Sequence, residues 1–97
     1  MLKSENDNLD CLFKAVLNLK TVEECYCFFN DLCSEAELKS FSQRFEVARM
    51  LDKKCVYTDI VGKTGASSAT ISRVNRSLTG GSGYRTALDR MREKEDE

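Results

Sequence analysis

The amino-acid sequence predicts an all-α protein of about six helices, among them a helix-turn-helix. The chain has 97 residues, no proline and five glycines, and Leu, Glu, Lys, Arg and Ala are plentiful, a composition that favours helices. Apolar residues recur at helical spacing through most of the chain. With 41% hydrophobic residues, a chain of this length suits one modest core. We therefore expect a single domain over residues 1–97, with the helix-turn-helix at about 57–78.

The first two helices are predicted from an apolar face and a capping box. Residues 9–19 contain six large apolar side chains at helical spacing, and we expect this first helix to stop near Lys20. It stops there because Thr21 and Glu24 form a capping box, in which side chains satisfy the free N–H groups at a helix start. The second helix therefore begins at Thr21 and runs to about Cys33.

The third helix is predicted to be longer. Ser34 and Glu37 form a second capping box, which places the start of this helix at Ser34. Apolar residues then continue at helical spacing to about Lys53. The side chains expected to line its inner side are Leu38, Phe41, Phe45, Ala48 and Leu51.

Residues 57–78, YTDIVGKTGASSATISRVNRSL, form the predicted helix-turn-helix. We expect Thr58 to cap the first helix of the motif, and Ile60 and Val61 to be its buried residues. Gly65 follows that helix, where the chain reverses through a left-handed conformation that glycine adopts at low cost. A short helix, a glycine turn and a second helix form the arrangement that lays one helix in the major groove of DNA.

The second helix of the motif has two chemically different faces. Ser67 or Ser68 is expected to cap its start. Ile71, Val74 and Leu78 recur at i, i+3 and i+7 and form one buried stripe. The opposite face carries a small residue, a hydroxyl group and two guanidinium groups, which suit close approach to DNA and hydrogen bonds to guanine edges or phosphates. The residues of this outward face are Ala69, Ser72, Arg73 and Arg76.

The chain is expected to end with a glycine-rich loop and one more helix. Residues 79–83, TGGSG, are predicted to be a flexible loop because they contain three glycines. A last helix runs from about Tyr84 to Met91, and the charged residues 92–97, REKEDE, follow it. The sequence shows no internal repeat and no second domain.

Charge is distributed unevenly along the chain. The formal net charge is −1, yet residues 39–90 carry ten Lys or Arg and four Asp or Glu, whereas residues 1–38 carry three and eight. The positive segment contains the helix-turn-helix. Attraction to phosphates depends on the charge within about 8–10 Å at physiological salt, so the overall balance does not exclude binding to nucleic acid.

Cysteine usage and the lack of histidine restrict the class of protein. The cysteines do not form paired C-x-x-C sets, and the chain has no histidine, so no zinc pattern is present. Residues 1–10 are polar and acidic, unlike a signal peptide, and no run of about 18 apolar residues indicates a membrane span. We therefore expect reduced thiols in a cytoplasm, no membrane association, no metal and no enzymatic activity. The cysteines are Cys11, Cys25, Cys27, Cys33 and Cys55.

The residues expected to contact DNA lie in the motif. Their hydroxyl and methyl groups suit base edges, thymine methyls or phosphates, and their cationic groups suit phosphates. Lys53 and Lys54, just before the motif, are further candidates for phosphate contacts. The predicted DNA-binding residues are Thr58, Lys63, Ser67, Ser68, Ala69, Ser72, Arg73 and Arg76.

The sequence leaves one alternative function open, a helical protein–protein adaptor. Such an adaptor would use the helix-turn-helix shape without reading DNA, and its outward polar face would be a solvated surface. Salt dependence distinguishes the two, because a DNA-binding protein loses affinity steeply as salt is added.

The apolar faces of the first two helices are broader than one neighbouring helix covers. The segment 9–19 is apolar on more than one side, and Phe28 and Phe29 point about 100° apart on the second helix. A chain of this size has little interior to hold all of them. We infer that these helices pack against a second copy, since helix-turn-helix proteins commonly bind paired half-sites as two-fold dimers.

Three segments resemble the bacterial Trp repressor family, and in particular its small YerC/YecD-type branch. They are LCSEAELKSFSQRFEVARML (32–51), DIVGKTGASSATISR (59–73) and NRSL (75–78). The resemblance implies an all-α, intertwined homodimer with about six helices per chain. It also implies sequence-specific binding to double-stranded DNA and regulation of transcription.

The resemblance also implies where a corepressor would be held. In the Trp repressor two arginines clasp the tryptophan corepressor, and the matching positions here are Arg44 and Arg73. Both suit a small anionic ligand through charge-assisted hydrogen bonds. The next residue is glycine in the Trp repressor and Val74 here, and the extra methyl groups partly fill the space for an indole. We therefore expect no tryptophan cofactor, and a helix held by its own core or by another small anion.

Overall fold

Six α-helices account for most of the residues that the structure describes. The computed structural model describes residues 4–96, with side chains from residue 7 to residue 95. Within that range the all-α class and the number of helices are as predicted, and none of these helices is long and apolar enough to cross a lipid bilayer. The helices are α1 (Ser4–Leu17), α2 (Val22–Leu32), α3 (Glu35–Asp52), α4 (Tyr57–Thr64), α5 (Ser68–Gly80) and α6 (Gly83–Asp96).

The chain divides into two compact units at residue 38. The first unit, residues 1–38, contains α1, α2 and the first turn of α3. The second unit, residues 39–97, contains the rest of α3 and helices α4 to α6. The two units differ in how far their apolar side chains are buried.

Hydrogen bonds at the starts of α2 and α3 follow the predicted capping boxes closely. The Ser34 N–H donates to the Glu37 carboxylate at 2.8 Å, and the Glu37 N–H donates to the Ser34 hydroxyl at 3.1 Å. The hydrogen bond from the Ser34 backbone N–H is the main cause that lowers the pKa of Glu37, and the Ser34 side chain acts in the same direction. Before α2 the Glu24 N–H donates to the Thr21 hydroxyl at 3.0 Å, as expected, but the Glu24 carboxylate accepts from the N–H of Lys20. Thr21 is therefore the N-cap of α2.

α1 ends at Leu17, three residues before the predicted end near Lys20. The N–H groups of Asn18 and Leu19 bond to carbonyl oxygens three residues back, each at 3.1 Å, and the Asn18 side chain donates to the Lys14 carbonyl at 2.8 Å. These tighter bonds replace continued helical bonding at the end of α1. Apolar periodicity does not reveal this end because Leu19 continues the apolar pattern.

No side chain of residues 7–38 is buried. Phe28 and Phe29 are half-buried and contact each other edge to face, with ring centroids 5.4 Å apart. The remaining apolar faces of α1 and α2 are open. Large apolar side chains in this unit that are 49% to 82% exposed are Leu9, Phe13, Leu17, Val22, Tyr26 and Leu32.

The second unit has a hydrophobic core to which α3, α4, α5 and α6 all contribute. The predicted stripe of α5, Ile71, Val74 and Leu78, is at most 7% exposed, so that prediction is confirmed. Phe45 and Tyr84 pack against the core from its edge. The buried residues of the described chain are Val47, Ala48, Met50, Ile60, Ala66, Ile71, Val74, Leu78 and Leu88.

The inner side of α3 differs in part from the prediction. Ala48 is buried and Phe45 packs against the core, as predicted, but Phe41 is 44% exposed. Val47 and Met50, which the sequence pattern did not place inside, are buried. Several helices contribute to the core beside this part of α3, so more than one apolar stripe of the helix is covered.

The turn from α3 to α4 places a lysine where glycine is usual. α3 ends at Asp52, one residue before the predicted end, and Lys54 has a φ of 66°. The Cys55 N–H donates to the Met50 carbonyl and the Lys54 N–H donates to the Leu51 carbonyl, each at 3.0 Å. This pair of bonds is a Schellman motif, in which the left-handed residue closes the helix.

The glycine-rich segment 79–83 is not the flexible loop that the sequence predicts. α5 continues through Gly80 and α6 begins at Gly83, so only Gly81 and Ser82 separate the two helices. A glycine costs a helix only about 1 kcal/mol relative to alanine. Burial of apolar side chains on both helices offsets that cost. Local composition does not reveal this burial, so it predicts a loop.

α6 is longer than predicted and runs to Asp96 instead of Met91. The additional residues are Arg, Glu, Lys and Asp, most of which favour helices on their own. Arg92 also pairs with Asp89, one turn earlier in the same helix. The run of charged residues predicts a tail, whereas in the structure it continues a solvated helix.

Candidate nucleic-acid interface

Helices α4 and α5 form the predicted helix-turn-helix. Gly65 follows α4 with a φ of 71°, which is the left-handed conformation expected of it. Its N–H donates to the Val61 carbonyl at 2.9 Å. A Cβ added to Gly65 would meet no atom within 4 Å, so the backbone conformation, and not space, requires glycine here.

Hydrogen bonds from two polar side chains fix the turn between α4 and α5. The Thr64 hydroxyl donates to the Ile60 carbonyl at 2.7 Å and accepts from the Ala66 N–H at 3.1 Å. The Gln43 amide, on α3, donates to the Thr64 carbonyl at 3.1 Å. The role of Gln43 cannot be predicted from the sequence, because the two partners are 21 residues apart and no local pattern connects them.

The start of α5 is capped by Ser67, the first of the two serines considered. Its hydroxyl accepts from the Thr70 N–H at 3.1 Å. Ser68 is the first residue of the helix and is exposed. The prediction that Thr58 caps α4 is wrong, because the N-cap is Val56, which has no side-chain hydrogen bond to offer.

The two faces of α5 differ in burial as the sequence predicts. Its apolar stripe belongs to the core, and its outward residues are all exposed. On α4, Ile60 is fully buried as predicted, but Val61 is 44% exposed. The prediction for Val61 is wrong because it is turned by about 100° from Ile60, away from the core. The outward residues of α5 are Ala69, Ser72, Arg73 and Arg76.

The positive charges of the α5 arginines are not neutralised by any carboxylate in the described part of the chain. Among the residues that the structure describes, Arg73 and Arg76 form no salt bridge, whereas Arg49, Arg85 and Arg92 all pair with Asp or Glu. The sequence of α5 also contains no acidic residue. This face can therefore attract phosphate groups.

The remaining predicted contacts lie around α4 and at the start of α5. Thr58 is in the first turn of α4 and Lys63 in its last turn, and both are exposed. Lys53 and Lys54 are exposed in the turn that joins α3 to α4. The structure thus places all eight predicted residues at the surface of the helix-turn-helix, while their contact with DNA stays a prediction.

Arg44 and Arg73, the predicted ligand-binding pair, line one pocket of about 250 Å³ in the second unit. The Arg44 guanidinium lies over the Phe41 ring, 5.2 Å from its centroid, where a cation is attracted to the aromatic face. Val74 forms part of the pocket wall and is only 2% exposed. The full lining is Arg44, Arg73, Val74, Ser77 and Tyr84.

Tyr84 is a pocket residue that the sequence does not predict. Its ring stacks on Phe45 of α3, with centroids 6.5 Å apart. It also lines an adjoining apolar groove of about 540 Å³. An aromatic residue at the start of a predicted helix gives no sign of a pocket until α3 and α6 are placed side by side.

The fold and the two-faced α5 define an all-α protein of the helix-turn-helix class. Within that class, residues 7–92 match the family described as Trp repressor protein. The chain therefore belongs to the Trp repressor family, and the resemblance noted in its sequence is confirmed.

Three relatives show the same similarity along nearly the whole chain. An uncharacterized protein, YerC of Bacillus subtilis strain 168, is 52% identical over 96 residues, which cover 98% of this chain and 92% of YerC. A crystal structure from Staphylococcus aureus, described as a candidate Trp repressor, is 47% identical with a TM-score of 0.85 and 95% of each chain covered. A TrpR-like protein from Eubacterium eligens ATCC 27750 is 52% identical with a TM-score of 0.84, covering 88% of this chain and 89% of that one.

Proposed function

We propose that the protein is a sequence-specific DNA-binding regulator of transcription that acts in the bacterial cytoplasm, in the manner of a repressor. α5, the recognition helix, lies in the major groove with its outward face toward the DNA. The observation that carries this proposal is the contrast between the two faces of α5. Its apolar stripe is buried, whereas Arg73 and Arg76 on the opposite side are exposed, and neither pairs with a carboxylate of the residues that the structure describes. Membership in the Trp repressor family supports the same function.

Different residues of the helix-turn-helix contact the bases and the phosphates in this proposal. Arg76 donates to a guanine edge or a phosphate, and Ser68, Ala69 and Ser72 approach base edges or thymine methyl groups. Thr58 and Lys63 suit phosphates beside the groove. Because most groove-facing side chains are small, sequence-dependent DNA shape contributes to specificity.

The DNA-binding form is a homodimer in this proposal. The open apolar faces of α1 and α2 are the surface that a second copy covers, since exposed patches of this kind mark protein–protein contacts. A two-fold dimer presents two recognition helices to paired half-sites about one helical turn of DNA apart.

A small anionic corepressor is proposed for the pocket that Arg44 and Arg73 line. Two guanidinium groups on different helices can clasp one carboxylate or phosphate, and such a bound anion would tie α5 to α3. Tryptophan is disfavoured because the side chain of Val74 takes up space in the wall where an indole would lie.

Selection of bound fragments from random DNA duplexes tests the function. The unaltered protein is expected to enrich a two-fold symmetric sequence, and Arg76→Ala is expected to lose that enrichment. Arg90→Ala is the matched control, because Arg90 is an exposed arginine on α6 and its removal changes the net charge equally. If Arg76→Ala and Arg90→Ala enrich the same sequence equally well, the proposed recognition face is wrong.

The salt dependence of binding to the selected duplex separates DNA readout from the adaptor alternative. The logarithm of the binding constant should fall with the logarithm of salt concentration, with a slope of about −0.9 for each phosphate contacted. If Arg76 contacts a phosphate, Arg76→Ala should reduce that slope by about 1. An adaptor would show no enriched duplex and a flat salt response.

A further inference from the structure

The end of α3 carries an aspartate that holds two arginines of α6. The Asp52 carboxylate accepts a hydrogen bond from Arg85 at 2.7 Å through one oxygen and from Arg92 at 2.5 Å through the other. Its side chain is only 13% exposed, whereas those of Arg85 and Arg92 are 40% and 54% exposed. Asp52 is therefore the most enclosed member of this group of charges.

A second carboxylate keeps both arginines in place. Asp89, between them on α6, accepts from Arg85 at 3.2 Å and from Arg92 at 3.4 Å. Residues three and four apart lie on one face of a helix, so Arg85, Asp89 and Arg92 form one row that faces Asp52. The four residues make a closed charge network, here called the α3–α6 network, with two positive and two negative members.

The α3–α6 network lies next to the residues through which α6 contacts the recognition helix. Tyr84 immediately precedes Arg85, stacks on Phe45 and lines the same pocket as Arg73 and Val74. Leu88, one turn further along α6, is buried in the core that also holds the apolar stripe of α5. α6 thus contributes Leu88 to the core that covers the inner side of α5, and Tyr84 to the pocket beside it.

We propose that Asp52 is a positioning residue for DNA binding. It fixes α6 on α3, and α6 fixes the orientation of the recognition helix through Tyr84 and Leu88. This role rests on the proposed function, because it concerns the same helix and the same DNA. Asp52 itself contacts no DNA in this arrangement and acts only through α6.

The energetics of the network favour a positioning role over a purely stabilising one. Arg85 and Arg92 are 40% and 54% exposed, so solvent screens their pairs with Asp52, and ordering these long side chains opposes the pairing, which leaves little gain in folding stability. Removal of the Asp52 charge, however, leaves two neighbouring guanidinium groups with one carboxylate between them. The shift of α6 that relieves their repulsion changes its contacts with α5, while the core keeps the protein folded.

Two variants with the same charge change test this proposal. Asp52→Asn removes the enclosed carboxylate at the end of α3. Glu46→Gln removes another carboxylate of α3, which among the described residues pairs with Arg49 alone, at 2.9 Å. Both variants make the protein less acidic by one charge, so any general electrostatic effect on DNA binding is the same. Affinity for the duplex selected by the unaltered protein is measured by fluorescence anisotropy at several salt concentrations, at a temperature where circular dichroism shows both variants fully folded.

Asp52→Asn is expected to bind about tenfold more weakly, which corresponds to about 1.4 kcal/mol, with an unchanged salt slope. Glu46→Gln is expected to bind DNA within about twofold of the unaltered protein, because a substitution at the surface and outside the network usually has a small effect. In the absence of DNA, the Val74 methyl resonances should shift in Asp52→Asn and not in Glu46→Gln. Asp52→Glu, which restores the charge, should recover part of the affinity.

Equal affinities for Asp52→Asn and Glu46→Gln would overturn the positioning role while leaving the proposed function intact. A weaker binding by Asp52→Asn that comes with an altered salt slope would also overturn it, because phosphate contacts would then have changed directly. Failure of the unaltered protein to select any duplex would overturn the proposed function and, with it, this role.

Discussion

Residues 7–38 and residues 39–95 are equally helical, yet only the second segment has buried side chains. The nine buried residues all follow residue 46, and none of the side chains in 7–38 falls into that class. Local hydrogen bonds are comparable in the two units, since Thr21 and Ser67 cap their helices in the same manner. The difference shows that caps and amphipathic spacing are enough to specify helices. A buried core also requires packing partners, which the residues of the first unit do not supply to one another.

The largest effect is expected from truncating the core of the second unit. Ile71 is fully buried, so Ile71→Ala should lower the free energy of unfolding by about 2–5 kcal/mol through lost burial and the cavity left behind. Val61→Ala, in the same motif but at a side chain that is 44% exposed, should cost less than about 1 kcal/mol. Urea unfolding followed by circular dichroism measures both, and similar losses at the two positions would contradict the burial pattern.

The next effect concerns the first unit and its missing partner. Phe13 is 53% exposed within one chain, but it should be buried between two copies. Phe13→Ala should therefore weaken dimerisation by about 2 kcal/mol, as expected for a central interface residue, which is roughly thirtyfold in the dissociation constant. Sedimentation equilibrium measures this, with Lys14→Ala as the neighbouring polar control.

A chain that remains monomeric at every concentration would contradict the proposal that a second copy covers α1 and α2. If Phe13→Ala and Lys14→Ala dissociate equally, the dimer exists but uses another surface. Either result would change the comparison of the two units, since the open faces of the first unit would then need a different explanation.

The sequence predicts well those features that a few neighbouring residues determine. The stripe of Ile71, Val74 and Leu78, the left-handed Gly65 and the capping of α3 by Ser34 all follow from short-range spacing. Each depends on contacts within one helix or one turn. The same is true of the exposed outward face, since it lies opposite the stripe by helical geometry.

The features that the sequence does not predict depend on contacts between distant residues. Asp52 lies 33 and 40 residues from Arg85 and Arg92, and no spacing rule links residues that far apart. Tyr84 lines the pocket because the fold brings the start of α6 beside α3, where its ring stacks on Phe45. The glycines at 79–83 indicate a loop by composition, but packing of α5 and α6 into one core overrides that local preference.

Two left-handed residues in the second unit give a smaller and opposite pair of effects. Gly65→Ala should destabilise the protein by about 1–2 kcal/mol, because φ is 71° there and a Cβ disfavours that conformation. Lys54→Gly should stabilise it by up to about 1 kcal/mol, because Lys54 has a φ of 66°, a left-handed conformation that a residue with a Cβ disfavours and glycine adopts readily. Thermal unfolding measures both changes, and shifts of the same sign would show that the cost of a Cβ in the left-handed conformation does not govern stability at both positions.

The smallest effect is the response of the two units to acid. Ser34 lowers the pKa of Glu37 below its ordinary value of 4.5, first through its backbone hydrogen bond and then through its side chain. In the second unit, hydrogen bonding from Arg85 is the main cause that lowers the pKa of Asp52 below 3.8, and the charges of Arg85 and Arg92 act in the same direction. A carboxyl group with a lowered pKa in the folded state stabilises the protein at pH values above its unfolded pKa. That contribution is lost as the pH falls through the folded value.

Acidification below these ordinary pKa values should therefore loosen both units, each at its own carboxylate. Glu37→Gln should remove part of the acid sensitivity of amide hydrogen exchange at the start of α3, and Asp52→Asn should remove part of it in α6. Amide exchange is measured by NMR from neutral pH to a pH below the ordinary pKa values of both carboxyl groups. After correction for the intrinsic pH dependence of exchange, these measurements separate the two contributions. If Asp52→Asn instead alters the acid response at the start of α3, the two units do not respond to acid independently. The units would then differ in the burial of their side chains and not in their response to acid.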